Sequence, residues 1–171
     1  MNIPNILTAL RFVLIPVFGY YLYNEFYITA VLLFILGGFT DVLDGYIARK
    51  YNMITSWGKL ADPLADKLMQ ITALVLLTMQ ERIPAAILII VVAKEIFMIT
   101  GSILLYKSHH HVVSANWYGK MATVVFFFAI IMIIVRVPYS EFFIIIALLS
   151  TLFAFFMYSI TYSTRIKDNY K

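Results

Sequence analysis

Apolar positions run through this chain in long stretches, and polar residues collect at five joints between them. The stretches predict six helices, over residues 8–23, 26–50, 62–80, 84–106, 117–136 and 139–161. The joints are "YNEF", the segment around "KYNMITSWGK", "QERIP", "YKSHHHVVSAN" and "RVPYSE". Pro84 and Pro138 stand near helix starts, where an amide proton has no helical partner to lose. Ahead of the first run, Asn2, Pro4, Asn5, Thr8 and Arg11 interrupt the apolar sequence, which predicts an interfacial turn or short helix before the first span. No internal repeat is present.

Composition turns these helices into membrane spans. The 171 residues are 63% hydrophobic and 13% charged, with a mean hydropathy of +0.90, whereas soluble domains carry about 25% charged residues. The expectation is an all-α integral membrane protein, a single domain over residues 1–171, because six spans of about 20 residues consume most of the chain. With no cysteine, disulfides, thiolate metal sites and a cysteine nucleophile are excluded. Arg11 within the first apolar run, and no small-residue cleavage site after it, read as a retained segment rather than a signal peptide. The net charge of +4 is explained by basic cytoplasmic loops, and nucleic acid is not an expected partner. With both termini cytoplasmic, only Arg82 and Arg136 of the 13 basic residues fall at outer joints, the bias the positive-inside rule demands.

Against this background four of the nine acidic residues stand between Asp41 and Asp66. At helical spacing Asp41, Asp44, Gly45 and Ala48 share one face, and Asp62 and Asp66 share a face of the next helix, with Pro63 tolerable if that helix begins or kinks nearby. The segment between them is the length of a reversal that opposes the two acidic faces. Four carboxylates at a helix centre would cost roughly 10–14 kcal/mol on insertion scales, less toward the cytoplasmic end. Two divalent cations with a taste for hard oxygen, of the magnesium, manganese or calcium type, would offset that charge, and paired ions suit attack on phosphorus. Gly45 and Gly58 leave room for a ligand against the backbone, and Arg49 offers a forked donor for a diphosphate. A structural ionic cap, with Lys50, Lys59 and Lys67 pairing the aspartates, is the competing reading.

The full pattern is Asp41, two residues, Asp44, Gly45, two residues, Ala48, Arg49, eight residues, Gly58, three residues, Asp62, three residues, Asp66. It resembles the signature of the CDP-alcohol phosphotransferase family at every fixed position. The resemblance implies that family's six-helix membrane fold, with transfer of a phosphatidyl group from CDP-diacylglycerol to an alcohol and release of CMP at the cytoplasmic side of a bacterial cell membrane. It also implies that Asp41, Asp44, Asp62 and Asp66 hold two metal ions and that Asp66 is the base. Gly45, Ala48, Arg49 and Gly58 would line the CDP pocket, and a homodimer is implied.

The opening "NIPNILTALR" and the segment "DPLADK" are similar to the branch that uses glycerol 3-phosphate, the phosphatidylglycerophosphate synthases. Arg11, Lys94 and Lys120 are the acceptor-binding candidates, with Lys67 and Lys107 behind them. Lys94 stands beside Glu95 in mid-span, so an ion pair between helices competes with an acceptor role. Relatives of that branch often show a GKxKT segment where this chain has "GKMAT", and an arginine near the position of Ser102. These departures keep open a cardiolipin synthase using phosphatidylglycerol. An ion-coupled transporter is the rival from another class, but its carboxylates would be spread along a path or repeated in two halves. His109, His110 and His111 read as an inner loop, since consecutive residues share no helical face. Trp57, Trp117, Tyr106 and Tyr118 read as an interfacial belt.

Overall fold

The computed structural model describes residues 2–53, 55–109 and 117–169. Every regular element among them is helical: α1 (Ile3–Tyr23), α2 (Tyr27–Lys50), α3 (Ser56–Met79), α4 (Ala85–His109), α5 (Trp117–Ile134) and α6 (Ser140–Asn169). The helix number matches the expectation, while two starts do not. The first helix takes in the polar opening and runs unbroken from Ile3, with Pro4 in its first turn where its fixed φ is helical. The third begins at Ser56, well before Pro63, because Thr55 caps it by accepting the Gly58 N–H at 3.0 Å. Pro63 therefore lies inside α3, where its ring removes one backbone bond.

The ends of four helices share one device. After α1, α2, α3 and α5 a residue in the left-handed region closes the last turn: Glu25, Asn52, Glu81 and Arg136, with φ of 64°, 54°, 56° and 61°. In each case the next amide reaches back over the turn, as in Phe26 N–H to Tyr21 O at 2.9 Å and Met53 N–H to Ala48 O at 2.9 Å. Otherwise orphaned carbonyls are satisfied without glycine. The compact closure after Lys50 folds α3 back beside α2.

Two units can be distinguished. The first comprises Met1–Pro84 with Ile134–Arg136. Within it α1, α2 and α3 pack on one another pairwise. Its core holds Phe18 and Phe34, with ring centroids 5.4 Å apart, together with Leu22, Ala61, Ala65, Met69, Ala73 and Leu77. The Met69 side chain of α3 lies in the notch left by Gly37 of α2, where a Cβ would stand 2.8 Å from its terminal methyl. At the end opposite the acidic residues along α2, Arg136 donates to Tyr27 Oη at 2.8 Å and meets Glu25 at 3.8 Å. The Arg82 guanidinium lies 4.2 Å from the Tyr27 ring centre.

The second unit, Ala85–Ile133 with Val137–Lys171, buries Ile87, Val91, Phe126, Ile130, Ile144 and Ala147. Phe97 meets Phe155, and Phe128 meets Phe143, edge to face.

Large side chains face outward in both units. On α3, Leu60, Leu64 and Leu68 are exposed while Ala61, Ala65 and Met69 are buried, an arrangement suited to hydrocarbon and not to water. Among the described residues α1, α2 and Ser140–Met157 of α6 are long and apolar enough to cross a membrane, and α5 adds the shorter apolar stretch Gly119–Ile134. These helices describe a multi-pass membrane protein.

Candidate functional site

The acidic residues of α2 and α3 meet α1 in the first unit, and α1 supplies the groups that join them. Arg11 is 1% exposed and reaches both carboxylates of α2. Its Nη1 donates to Asp41 Oδ1 at 2.7 Å, and its Nη2 donates to Asp44 Oδ2. The Nη1 group also lies 3.4 Å from the Asp62 carbonyl on α3. Thr8, one turn earlier, donates to Asp62 Oδ1 at 2.5 Å, with Asp44 Oδ2 at 3.4 Å and the Pro4 carbonyl at 3.1 Å. One hydroxyl is thus within hydrogen-bonding distance of carboxylates from two helices.

Asn5 extends the same edge of α1. Its side-chain oxygen accepts from Thr55 Oγ1 at 2.9 Å, and Thr55 is the cap of α3. Asn5, Thr8 and Arg11, which interrupt the apolar start of the chain, are therefore part of the acidic site, while Asn2 is exposed at the N-cap of α1. Asn5, Thr8 and Arg11 recur every third residue, which puts them along one helix edge; an interfacial helix would carry the same interval, and the contacts with α2 and α3 tell the two apart.

The two aspartates of α2 differ in environment. Asp44 is as buried as Arg11, while the Asp41 side chain is 38% exposed. Asp41 is within electrostatic reach of Asp62 and Asp66. On α3, Asp66 accepts from Gln70 Nε2, one turn on, at 3.2 and 3.1 Å. Gln70 stands among the other polar residues of α3 and carries no charge to mark it, so its sequence context alone does not single it out.

The remaining predicted positions fall into two groups. Gly45 faces its own helix neighbour: a Cβ there would contact the Arg49 guanidinium nitrogens at 3.5 Å, so Arg49 lies back over the space glycine leaves. Gly58 sits where α1 meets α3, and its Cβ would come within 3.1 Å of Thr55 Oγ1 and 3.3 Å of Asn5 Oδ1. Ala48 is partly exposed near the end of α2. Lys94 and Lys120 belong to the second unit. Lys94 pairs with Glu95 at 2.7 Å, with both side chains 11% exposed, and Lys120 is exposed on α5. The positions of His110 and His111, and the side chains of Ser102, Tyr106, Lys107 and Tyr118, lie outside the described residues.

The donor chemistry of the site fits hard divalent cations. Carboxylate oxygens converge from α2 and α3, and the Arg11 guanidinium balances one unit of the charge on Asp41, Asp44 and Asp62. Among the described residues no three acidic or histidine side chains form a group that could hold one ion as they stand, and Arg11 is bonded to one oxygen of each α2 carboxylate.

Comparison with known proteins bears on residues 1–156, which match the family model described as CDP-alcohol phosphatidyltransferase. A protein of Pseudomonas fluorescens named CDP-diacylglycerol–glycerol-3-phosphate 3-phosphatidyltransferase is 45% identical over 97 residues, covering 52% of this chain and 50% of its own. Proteins of the same name from Rickettsia felis and Bacillus subtilis are 44% identical over 85 residues and 37% over 99. These alignments cover 48% and 49% of this chain, and 47% and 51% of the relatives. The chain spans about half the length of the curated relatives it matches.

Proposed function

Since the chain belongs to the CDP-alcohol phosphatidyltransferase family, we propose that it transfers the phosphatidyl group of CDP-diacylglycerol to glycerol 3-phosphate, releasing CMP and forming phosphatidylglycerophosphate. The observation that carries this reading is the meeting of Asp41 and Asp44 with Asp62 around Arg11 and Thr8. It joins the halves of the signature into one site. The relatives' names support the acceptor.

Two divalent ions, magnesium or manganese, would be held by Asp41, Asp44, Asp62 and Asp66. When bound, they supply charge neutralisation at the diphosphate and at the departing CMP. The chain's own groups do the rest. Arg49, freed from its rest over Gly45, gives a forked donor to the diphosphate, and Gly45 and Ala48 leave the nucleotide room, while Gly58 serves the pocket by holding α1 against α3 beside Asp62. The acceptor hydroxyl oxygen attacks the phosphatidyl phosphorus and the bond to the CMP oxygen breaks. Asp66 takes the hydroxyl proton, while Gln70 fixes the carboxylate by a bond that requires no proton from it. Arg11, Lys94 and Lys120 are each a separate candidate for a cation that binds the acceptor phosphate.

Around this site we place a single membrane domain of six spans in the cell membrane, with both termini and the site cytoplasmic. The assembly is a homodimer. Cardiolipin synthesis, with phosphatidylglycerol as acceptor, is the second reading, favoured by the loss of a basic residue in "GKMAT". The test is to supply the purified protein with radiolabelled CDP-diacylglycerol and either acceptor, with and without divalent metal. Metal-dependent labelled phosphatidylglycerophosphate is expected. Label in cardiolipin alone, or undiminished product in excess EDTA, overturns the proposal.

A further inference from the structure

We infer that Arg11 is a resident counter-cation, and that its guanidinium competes with divalent metal for Asp41 and Asp44. This rests on the metal reading above and assigns to Arg11 a role toward the metal in addition to the acceptor phosphate.

Three observations lead to it. Arg11 is among the most deeply buried side chains of the protein, on a helix made mainly of Leu, Phe, Ile and Val. A guanidinium in that setting needs anions. It takes those anions from the residues that would ligate metal, engaging one oxygen each of Asp41 and Asp44 with two different nitrogens. The fork matches a pair of carboxylates as a single ammonium cannot. Finally, its buried Nε has no hydrogen-bond partner among the described residues, so the present pairing leaves the group incompletely satisfied. A buried donor left so is costly. The carboxylates thus hold a cation that offsets their mutual repulsion, and a doubly charged ion has to compete with it for the same oxygens. Asp44 is the centre of the exchange, because it is buried with Arg11 and is shared with Thr8.

The experiment uses the full chain, purified metal-free in detergent or nanodiscs. Manganese binding is titrated by the paramagnetic resonance signal of free Mn²⁺, and thermal unfolding is followed with and without Mn²⁺. Arg11→Met is expected to bind Mn²⁺ at least about tenfold more tightly than the unmodified protein, from loss of the competing charge. Its metal-free melting temperature falls, and Mn²⁺ restores it. Arg11→Lys separates occupancy from mere nearby charge. It keeps the charge but cannot fork across both aspartates, so its Mn²⁺ affinity is expected to rise above that of the unmodified protein. It also carries the test should the methionine variant fail to fold. Unchanged or weaker Mn²⁺ binding in the lysine variant overturns the inference and leaves the metal reading standing. Absence of Mn²⁺ binding in all three folded proteins overturns both.

Discussion

Arg11 and Asp44 hold each other in a place where neither could stand alone. Removing one member of a buried ion pair leaves the other uncompensated, at about 3–5 kcal/mol. Asp44→Ala should therefore lower the metal-free melting temperature strongly, and Asp41→Ala distinctly less, because Asp41 keeps contact with solvent. Thermal unfolding of the two variants side by side checks the order, and equal losses would contradict it. Asp66 is a different case. Its neighbour Gln70 can donate to an amide oxygen as well as to a carboxylate oxygen, so Asp66→Asn should retain the fold while losing the base. Phosphatidyl transfer should drop by at least about 100-fold, measured as labelled product in a protein that still elutes as a folded species. These residues were legible to different degrees. The aspartates announce themselves by charge in an apolar chain. Thr8, Asn5 and Gln70 are ordinary polar residues, whose meaning lies in what stands opposite them.

Between helices, the short reversal after α2 determines whether Asp41 and Asp44 meet Asp62. Asn52 takes a left-handed conformation there, with φ of 54°, which asparagine tolerates and β-branched residues resist by about 1–2 kcal/mol. Asn52→Val should lower thermal stability, whereas Asn52→Gly should leave it unchanged or raised, and a melting series of the two variants decides. Gly58 sets the distance between α1 and α3. A methyl group there would press on Thr55 Oγ1 and Asn5 Oδ1, so Gly58→Val should cost about 1–3 kcal/mol by overpacking and weaken the α3 cap with it. Helix number followed from the apolar runs alone, because hydropathy is summed over a whole turn and survives local exceptions. Helix starts did not. The Thr55 cap is local, three residues from the Gly58 N–H that it accepts, and was hidden by Pro63 as the apparent start; the continuation of α1 through its polar opening depends on contacts of Asn5 with Thr55 and of Thr8 with Asp62, which link residues 50 and 54 positions apart.

For the whole molecule, the outward leucines and inward alanines of α3 make lipid the natural surroundings. The proposed orientation is open to a direct measurement, since the chain has no cysteine of its own. A cysteine at Lys50 should react with a membrane-impermeant thiol reagent only when the cytoplasmic face is exposed, and one at Glu81 only from the opposite side. The reverse pattern would refute the topology. What the sequence determined by itself is the helical, lipid-facing character of the chain and the grouping of the aspartates in pairs on helix faces. Both follow from local periodicity, which each segment carries without its neighbours. Which cation lies among those aspartates was decided by the tertiary structure. Arg11 stands 30 positions before Asp41, and only the closeness of α1 to α2 and α3 at their shared end turns an arginine in an apolar run into a partner for two carboxylates.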